Sequence, residues 1–235
     1  MNDEDGRPLE NRILDVKERI KKAAVSCGRS PDEITLIAVS KTKSPDMVKR
    51  AAGAGLTVFG ENYIQEARDK IETIALNGLS WHFIGHLQRN KAKYAVKLFD
   101  LIHTVDSLKL ATELDKQAEK IGKVQDVLIQ VNTGMEESKS GIAEKDAMDL
   151  ARDMSGLTHI KVKGLMTIPP FFDAPEKVTP FFRALRRLRN RIREANIPNI
   201  QMDELSMGMT GDFEAAIKDG ATFIRVGTAI FGRRD

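Results

Sequence analysis

Ile34-Thr35-Leu36-Ile37-Ala38-Val39-Ser40 is a short, nearly unbroken apolar run rich in branched side chains. A strand buried on both faces of a parallel sheet reads this way, because covering helices leave neither face to water. Upstream, Leu9, Ile13, Val16, Ile20 and Ala24 recur at helical spacing among charged residues, which predicts an amphipathic helix over 9–27. Downstream, comparable apolar runs occupy 57–60, 81–86, 101–105, 127–131, 160–168, 204–207 and 223–231. The segments between them, 45–54, 62–76, 89–98, 107–121, 143–154, 176–195 and 212–219, carry helical periodicity. Strands alternating with helices predict βαβ units. Eight such runs predict an α/β fold, a single (β/α)8 TIM barrel with an extra N-terminal helix. An open doubly wound sheet is the alternative that the same alternation permits. No linker, low-complexity tract or short repeat interrupts the pattern, so 1–235 reads as one domain. Pro169-Pro170 and the Phe-Phe-Asp-Ala-Pro that follows read as a loop after the sixth strand.

Composition narrows the functional classes. A hydrophobic content of 41% with 30% charged residues is that of an ordinary globular chain able to fill a core. The balance of 37 basic against 34 acidic side chains is too even to point to nucleic acid. The arginine-rich segment 181–195 does not change this, because Phe181, Leu185, Leu188, Ile192 and Ala195 form one apolar stripe that leaves the arginines on the solvated face. A lone cysteine, Cys27, allows no internal disulfide and fits a reducing compartment. The acidic N-terminus lacks the apolar centre of a signal peptide. No stretch approaches the roughly 18 apolar residues of a membrane span. A cytoplasmic location without membrane or nucleic-acid partners is expected.

Polar residues at the strand ends are the candidates for chemistry, since β/α barrels place their sites at the C-terminal ends of the strands. Lys41 directly follows the first run. A lysine partly desolvated there has a lowered pKa and a free amine able to attack an aldehyde; the plain alternative is a strand-end lysine reaching solvent. The last run contains Arg225, costly in a buried strand unless paired or functional, followed by Gly227 and Thr228. The seventh ends in Ser206-Met207-Gly208-Met209-Thr210-Gly211. Two adjacent turns bearing glycines and hydroxyls suit a phosphate group, since barrels bind phosphate with the loops after strands 7 and 8. Asn62 either donates to a ring oxygen or N-caps the next helix. His86 is a weaker candidate, and Met166 is as readily core as contact. Dinucleotide, P-loop and nucleophile-elbow motifs are absent, and the four histidines and one cysteine lack metal-ligand spacing.

Seven motifs in order, IAVSKTKS (37–44), FGENYIQE (59–66), WHFIGHLQRNK (81–91), QVNTGMEESKSG (130–141), GLMTIPP (164–170), LSMGMTGDFEAAI (205–217) and RVGTAIFG (225–232), cover nearly the whole chain. Together they resemble the pyridoxal phosphate homeostasis proteins, single-domain relatives of the alanine racemase N-terminal barrel and of fold-type III enzymes. The resemblance implies pyridoxal 5′-phosphate as cofactor. It implies that Lys41 forms the internal imine, Arg225 faces the pyridine nitrogen, and Ser206, Gly227 and Thr228 bind the phosphate. Asn62 then falls near the ring hydroxyl and Met166 near the ring face.

An arginine beside the ring nitrogen cannot give up a proton to it, which weakens the ring as an electron sink. This favours holding the aldehyde over rapid α-proton loss. A carrier or reservoir that buffers the cofactor and delivers it to apo-enzymes is therefore the leading expectation, with no catalytic residue assigned. The alternative is a pyridoxal-phosphate-dependent amino-acid racemase. Two-base racemases carry a second β domain whose tyrosine acts from a partner subunit; here the sequence runs only to Asp235, so a monomer is expected, with Tyr63 and Tyr94 its only tyrosines. A barrel enzyme acting on a sugar phosphate, without cofactor, is the third possibility.

Overall fold

The computed structural model describes residues 7–134, 140–170, 172 and 177–232. Helix α1 (Leu9–Ser26) precedes β1 (Thr35–Val39), α2 (Pro45–Gly53), β2 (Val58–Glu61), α3 (Ile64–Ile74), β3 (Ser80–Phe83), α4 (Ala92–Leu98), β4 (Leu101–Val105) and α5 (Leu108–Glu119). There follow β5 (Gln125–Asn132), β6 (Ile142–Ala143), α6 (Ala147–Met154), β7 (Ile160–Met166), α7 (Thr179–Glu194), β8 (Ile200–Ser206), α8 (Phe213–Lys218), β9 (Phe223–Val226) and α9 (Thr228–Phe231).

The strands pair in the order β4-β3-β2-β1-β9-β8-β7-β5, and a β4–β5 pairing closes the ring. That closure removes the open doubly wound sheet. Eight parallel strands surrounded by helices make a (β/α)8 barrel, with α1 packed outside it. The two-residue β6 pairs with β5 beyond the ring and is too short to leave a pattern in the sequence.

Two apolar layers result from the alternation of strand side chains. Ala38, Phe59, Trp81, Ile102, Val127 and Leu205 face outward into the large core shared with the helices. Leu101, Leu128, Met166 and the partly buried Phe223 form a small cluster inside the barrel. Helix α7 buries Phe182, Leu185, Leu188 and Ile192. The expected stripe is thus corrected at both ends: Phe182 rather than Phe181 leads it, and Ala195 is exposed past the helix end.

Two strand boundaries also differ from expectation. The run 223–231 divides at Gly227 into β9 and the short helix α9, and reads as continuous because Ile230 and Phe231 are buried in the second element as Ile224 and Val226 are in the first. Strand β8 begins at Ile200 because Met202 points into the core between exposed or half-exposed Gln201 and Asp203. That alternation hides a strand from a search for continuous apolar runs. Part of the QVNTGMEESKSG motif (135–139) and most of the loop expected after the sixth strand (171 and 173–176) lie outside the described residues. No helix among the described residues is long and apolar enough to cross a membrane.

Candidate functional site

Register brings the two ends of the sequence together at the barrel mouth. Strand β1 pairs with β9 so that Ile37 lies beside Arg225 and Ala38 beside Val226. Paired residues of parallel strands share a face, so alternation carries the interior face from Ile37 through Val39 to Lys41. The Ser40 amide donates to Gly60 O at 3.0 Å, extending the β1–β2 ladder past Val39. Lys41, half-buried, therefore stands at the rim between β2 and β9.

Arg225 is almost entirely buried, with 4% exposure. An unpaired cation there would be prohibitive. Its Nη1 donates to Ser206 Oγ at 2.6 Å and its Nη2 to Thr167 O at 2.8 Å. Ser206 Oγ also meets His103 Nδ1 at 2.9 Å, and His103 Nε2 meets His82 Nδ1 at 3.0 Å. The assignment that leaves no proton idle has Ser206 donating to His103 and His103 donating to His82, with both imidazoles neutral. Electrostatics agree. Burial pushes His82 down to about 4 against the opposing pull of Asp100. Burial, with His82 and Arg225 nearby, also drives His103 well below its ordinary value. Desolvation lowers Arg225 to about 10 while Asp212 raises it, so the guanidinium remains charged at neutral pH.

The two expected phosphate turns lie beside one another. After β8, Gly208 adopts φ +93°, open to glycine without strain, and its carbonyl accepts from the Arg225 amide at 3.0 Å. The Met209 amide donates to Asp212 Oδ1 at 2.5 Å, and burial raises the Asp212 carboxyl. After β9, Gly227 packs on β1, since a Cβ there would lie 3.4 Å from Val39 Cβ and O. Thr228 is exposed at the start of α9. The Ser206 hydroxyl lies beneath this rim in contact with Arg225 and His103.

The alanine racemase N-terminal domain family matches residues 16–235. The pyridoxal phosphate homeostasis protein of Aquifex aeolicus is 45% identical over 95% of this chain and 97% of its own length. The protein of that name in Escherichia coli is 42% identical, covering 97% of both. The chain belongs to the pyridoxal phosphate homeostasis protein family. PipY of Synechococcus elongatus, solved with PLP bound, superposes with a TM-score of 0.84 at 33% identity, over 96% of this chain and 100% of that one.

The other expected site residues of this family member are placed as follows. Asn62 does not cap α3; Tyr63 holds the N-cap position, without a side-chain bond. Asn62 Oδ1 is instead buried with no hydrogen-bond partner among the described residues. Its backbone abuts Gly85, where a Cβ would come within 2.2 Å of Asn62 O, so β2 and β3 are locked together at the rim. Met166 is fully buried in the interior cluster, paired in register with Ser206. His86 is exposed at the rim and meets Ser140 Oγ at 3.2 Å. Tyr63 is 60% exposed.

Sequence reasoning missed the groups behind the site. Thr167, fully buried, donates to Val131 O at 2.8 Å and meets Thr133 Oγ1 at 2.9 Å while its carbonyl takes the Arg225 bond. His82 and His103 were legible only as polar residues inside buried strands, the kind of anomaly that marked Arg225.

Proposed function

We propose that this chain holds pyridoxal 5′-phosphate at the barrel mouth, covalently through Lys41, and serves as a reservoir that releases the cofactor to apo-enzymes. The observation that carries the reading is the buried Arg225 cation, fixed by Ser206 and Thr167 O and in register with the strand that leads into Lys41. The residues present fit the cofactor. Arg225 offers a donor that stays charged to a ring nitrogen, and Asn62 Oδ1 is a buried acceptor suited to the proton of a ring hydroxyl. Gly208, Gly227 and Thr228 offer turn backbone and a hydroxyl to a phosphate, and Ser206 acts beneath them by positioning Arg225. Met166 supports the site as part of the interior floor. The names of the relatives and the ligand bound to PipY support the same ligand here.

The cofactor's contribution when bound is an electrophilic aldehyde. The chain's own residues hold it. Lys41 supplies the amine, whose condensation releases one water, and Arg225 withholds a proton from the ring nitrogen. This arrangement favours retention over turnover of amino acids, and every residue invoked comes from one chain, so a monomer suffices.

The test is borohydride reduction of the cofactor-loaded protein followed by peptide mapping. A pyridoxyl mass on Lys41 is expected, together with loss of the visible band in Lys41→Ala. Label confined to another lysine, such as Lys43, would overturn the assignment. Deuterium uptake at Cα of amino acids in heavy water faster than with free cofactor would replace the reservoir by a racemase.

A further inference from the structure

Lys41 lies in a turn that its own sequence does not favour. The Lys43 amide closes the turn on Ser40 O at 3.0 Å, and Thr42 adopts φ +65°. A β-branched residue in the left-handed region is a strained outlier that persists only where its surroundings hold it.

The surroundings here are charged and buried. Lys70 of α3 is 3% exposed and Glu61 at the end of β2 is fully buried. The Lys70 ammonium donates to Ser40 O at 2.8 Å, Glu61 Oε1 at 2.6 Å and Glu66 Oε1 at 2.9 Å, which uses all of its protons. Ser40 Oγ donates to the same Glu61 oxygen at 2.6 Å. The Thr42 amide donates to the same Glu66 oxygen at 2.5 Å. Burial raises the Glu61 carboxyl against the pull of Lys70.

A strand-to-helix contact of this kind is ordinarily apolar, and well-packed hydrophobic residues would be at least as stable as buried charges. The arrangement makes sense as specification of geometry. Its bonds end on Ser40 and Thr42, the two neighbours of Lys41. They approach from the helix side of the barrel wall, where Ser40 points, and leave the mouth side to Lys41.

We propose that Lys70, Glu61 and Glu66 are positioning residues for Lys41, a buried clamp that holds residues 40–42 in the strained turn and so presents the Lys41 amine to the mouth. The proposal rests on the reading that Lys41 carries the cofactor, and it names the residues that make that lysine competent.

The experiment compares the full-length wild type with Glu66→Ala, Glu66→Gln and Lys70→Met. Glu66 is partly exposed, so its variants are expected to fold; circular dichroism confirms it. Two quantities are measured: hydrogen exchange of the Thr42 amide without ligand, and the rate of borohydride-trappable pyridoxal phosphate capture on Lys41. In Glu66→Ala, exchange accelerates and capture slows, each on the order of tenfold, as loss of a charge-assisted bond predicts. Glu66→Gln restores both, because its amide oxygen still accepts from Thr42 and Lys70. Lys70→Met behaves like Glu66→Ala. A Glu66→Ala protein with wild-type exchange and capture overturns the proposal, as does Glu66→Gln as impaired as Glu66→Ala. If wild-type Lys41 takes no label, the cofactor reading fails, while the Thr42 exchange comparison still decides the clamp.

Discussion

The Arg225 guanidinium donates to Ser206 Oγ at 2.6 Å, and that hydroxyl also meets His103 Nδ1 at 2.9 Å. One small side chain thus joins the cation at the barrel mouth to a histidine pair deeper inside. Ser206→Ala leaves a guanidinium nitrogen and an imidazole nitrogen unpaired where water does not reach. A loss of about 1–3 kcal/mol is expected from such a change, read as a lower urea midpoint. Cofactor affinity should fall as well, because among the described residues Thr167 O is then the one hydrogen-bond acceptor left to the Arg225 guanidinium.

Acid should destabilise the protein through His82. Its folded pKa is about 4, set by burial, against an ordinary value of 6.5. The unfolded chain therefore binds the proton first as pH falls below 6.5, and stability present above that pH is lost on the way down to about 4. The full effect is on the order of 3 kcal/mol at 1.36 kcal/mol per pH unit. His103, shifted in the same direction, adds to it. Denaturant midpoints at pH 7 and pH 4.5 measure the slope, which should be smaller in His82→Asn than in wild type. A slope unchanged by that substitution would mean that folding does not keep His82 neutral.

The two turn glycines should respond differently to alanine. At Gly208, with φ +93°, a Cβ would lie 2.6 Å from Ala216 Cβ and 3.0 Å from Phe213 Cα. Strain and overlap together should cost about 2–4 kcal/mol. At Gly227, φ is −113° and the nearest contacts are 3.4 Å, so Gly227→Ala should fold with a stability change under about 1 kcal/mol. It should nevertheless weaken pyridoxal phosphate binding by crowding the approach of the phosphate. Thermal melts paired with equilibrium titration separate the two effects.

A control away from the mouth is provided by Lys123. Its Nζ donates to Val96 O at 2.9 Å and Phe99 O at 2.7 Å, tying the loop before β5 to the end of α4. Lys123→Met should cost about 1–2 kcal/mol of stability by leaving both carbonyls without that donor. Cofactor affinity should remain at the wild-type value in the same titration.

The alternation of buried runs with amphipathic segments is a local property, and it was enough to specify strands, helices and their parallel arrangement, while the β4–β5 pairing of the folded chain decided for a closed barrel over an open sheet. Lys41, Arg225 and the two glycine turns were legible for the same reason: each is out of character with its immediate neighbours or sits directly after a strand. Where the pattern misled, at the start of β8 and at the Gly227 break, burial alternated or continued across an element boundary, and apolarity alone does not mark the change. The partnerships are another matter. Arg225, Ser206, His103, His82 and Thr167 come from different strands or strand ends, and Lys70 reaches Ser40 across thirty positions. A polar side chain in a buried strand announces that it needs a partner, but which partner it finds depends on strand register and barrel closure. Those follow from packing of the whole chain, so only the tertiary structure decided that Ser206 serves Arg225 and that the Lys41 turn is gripped from behind.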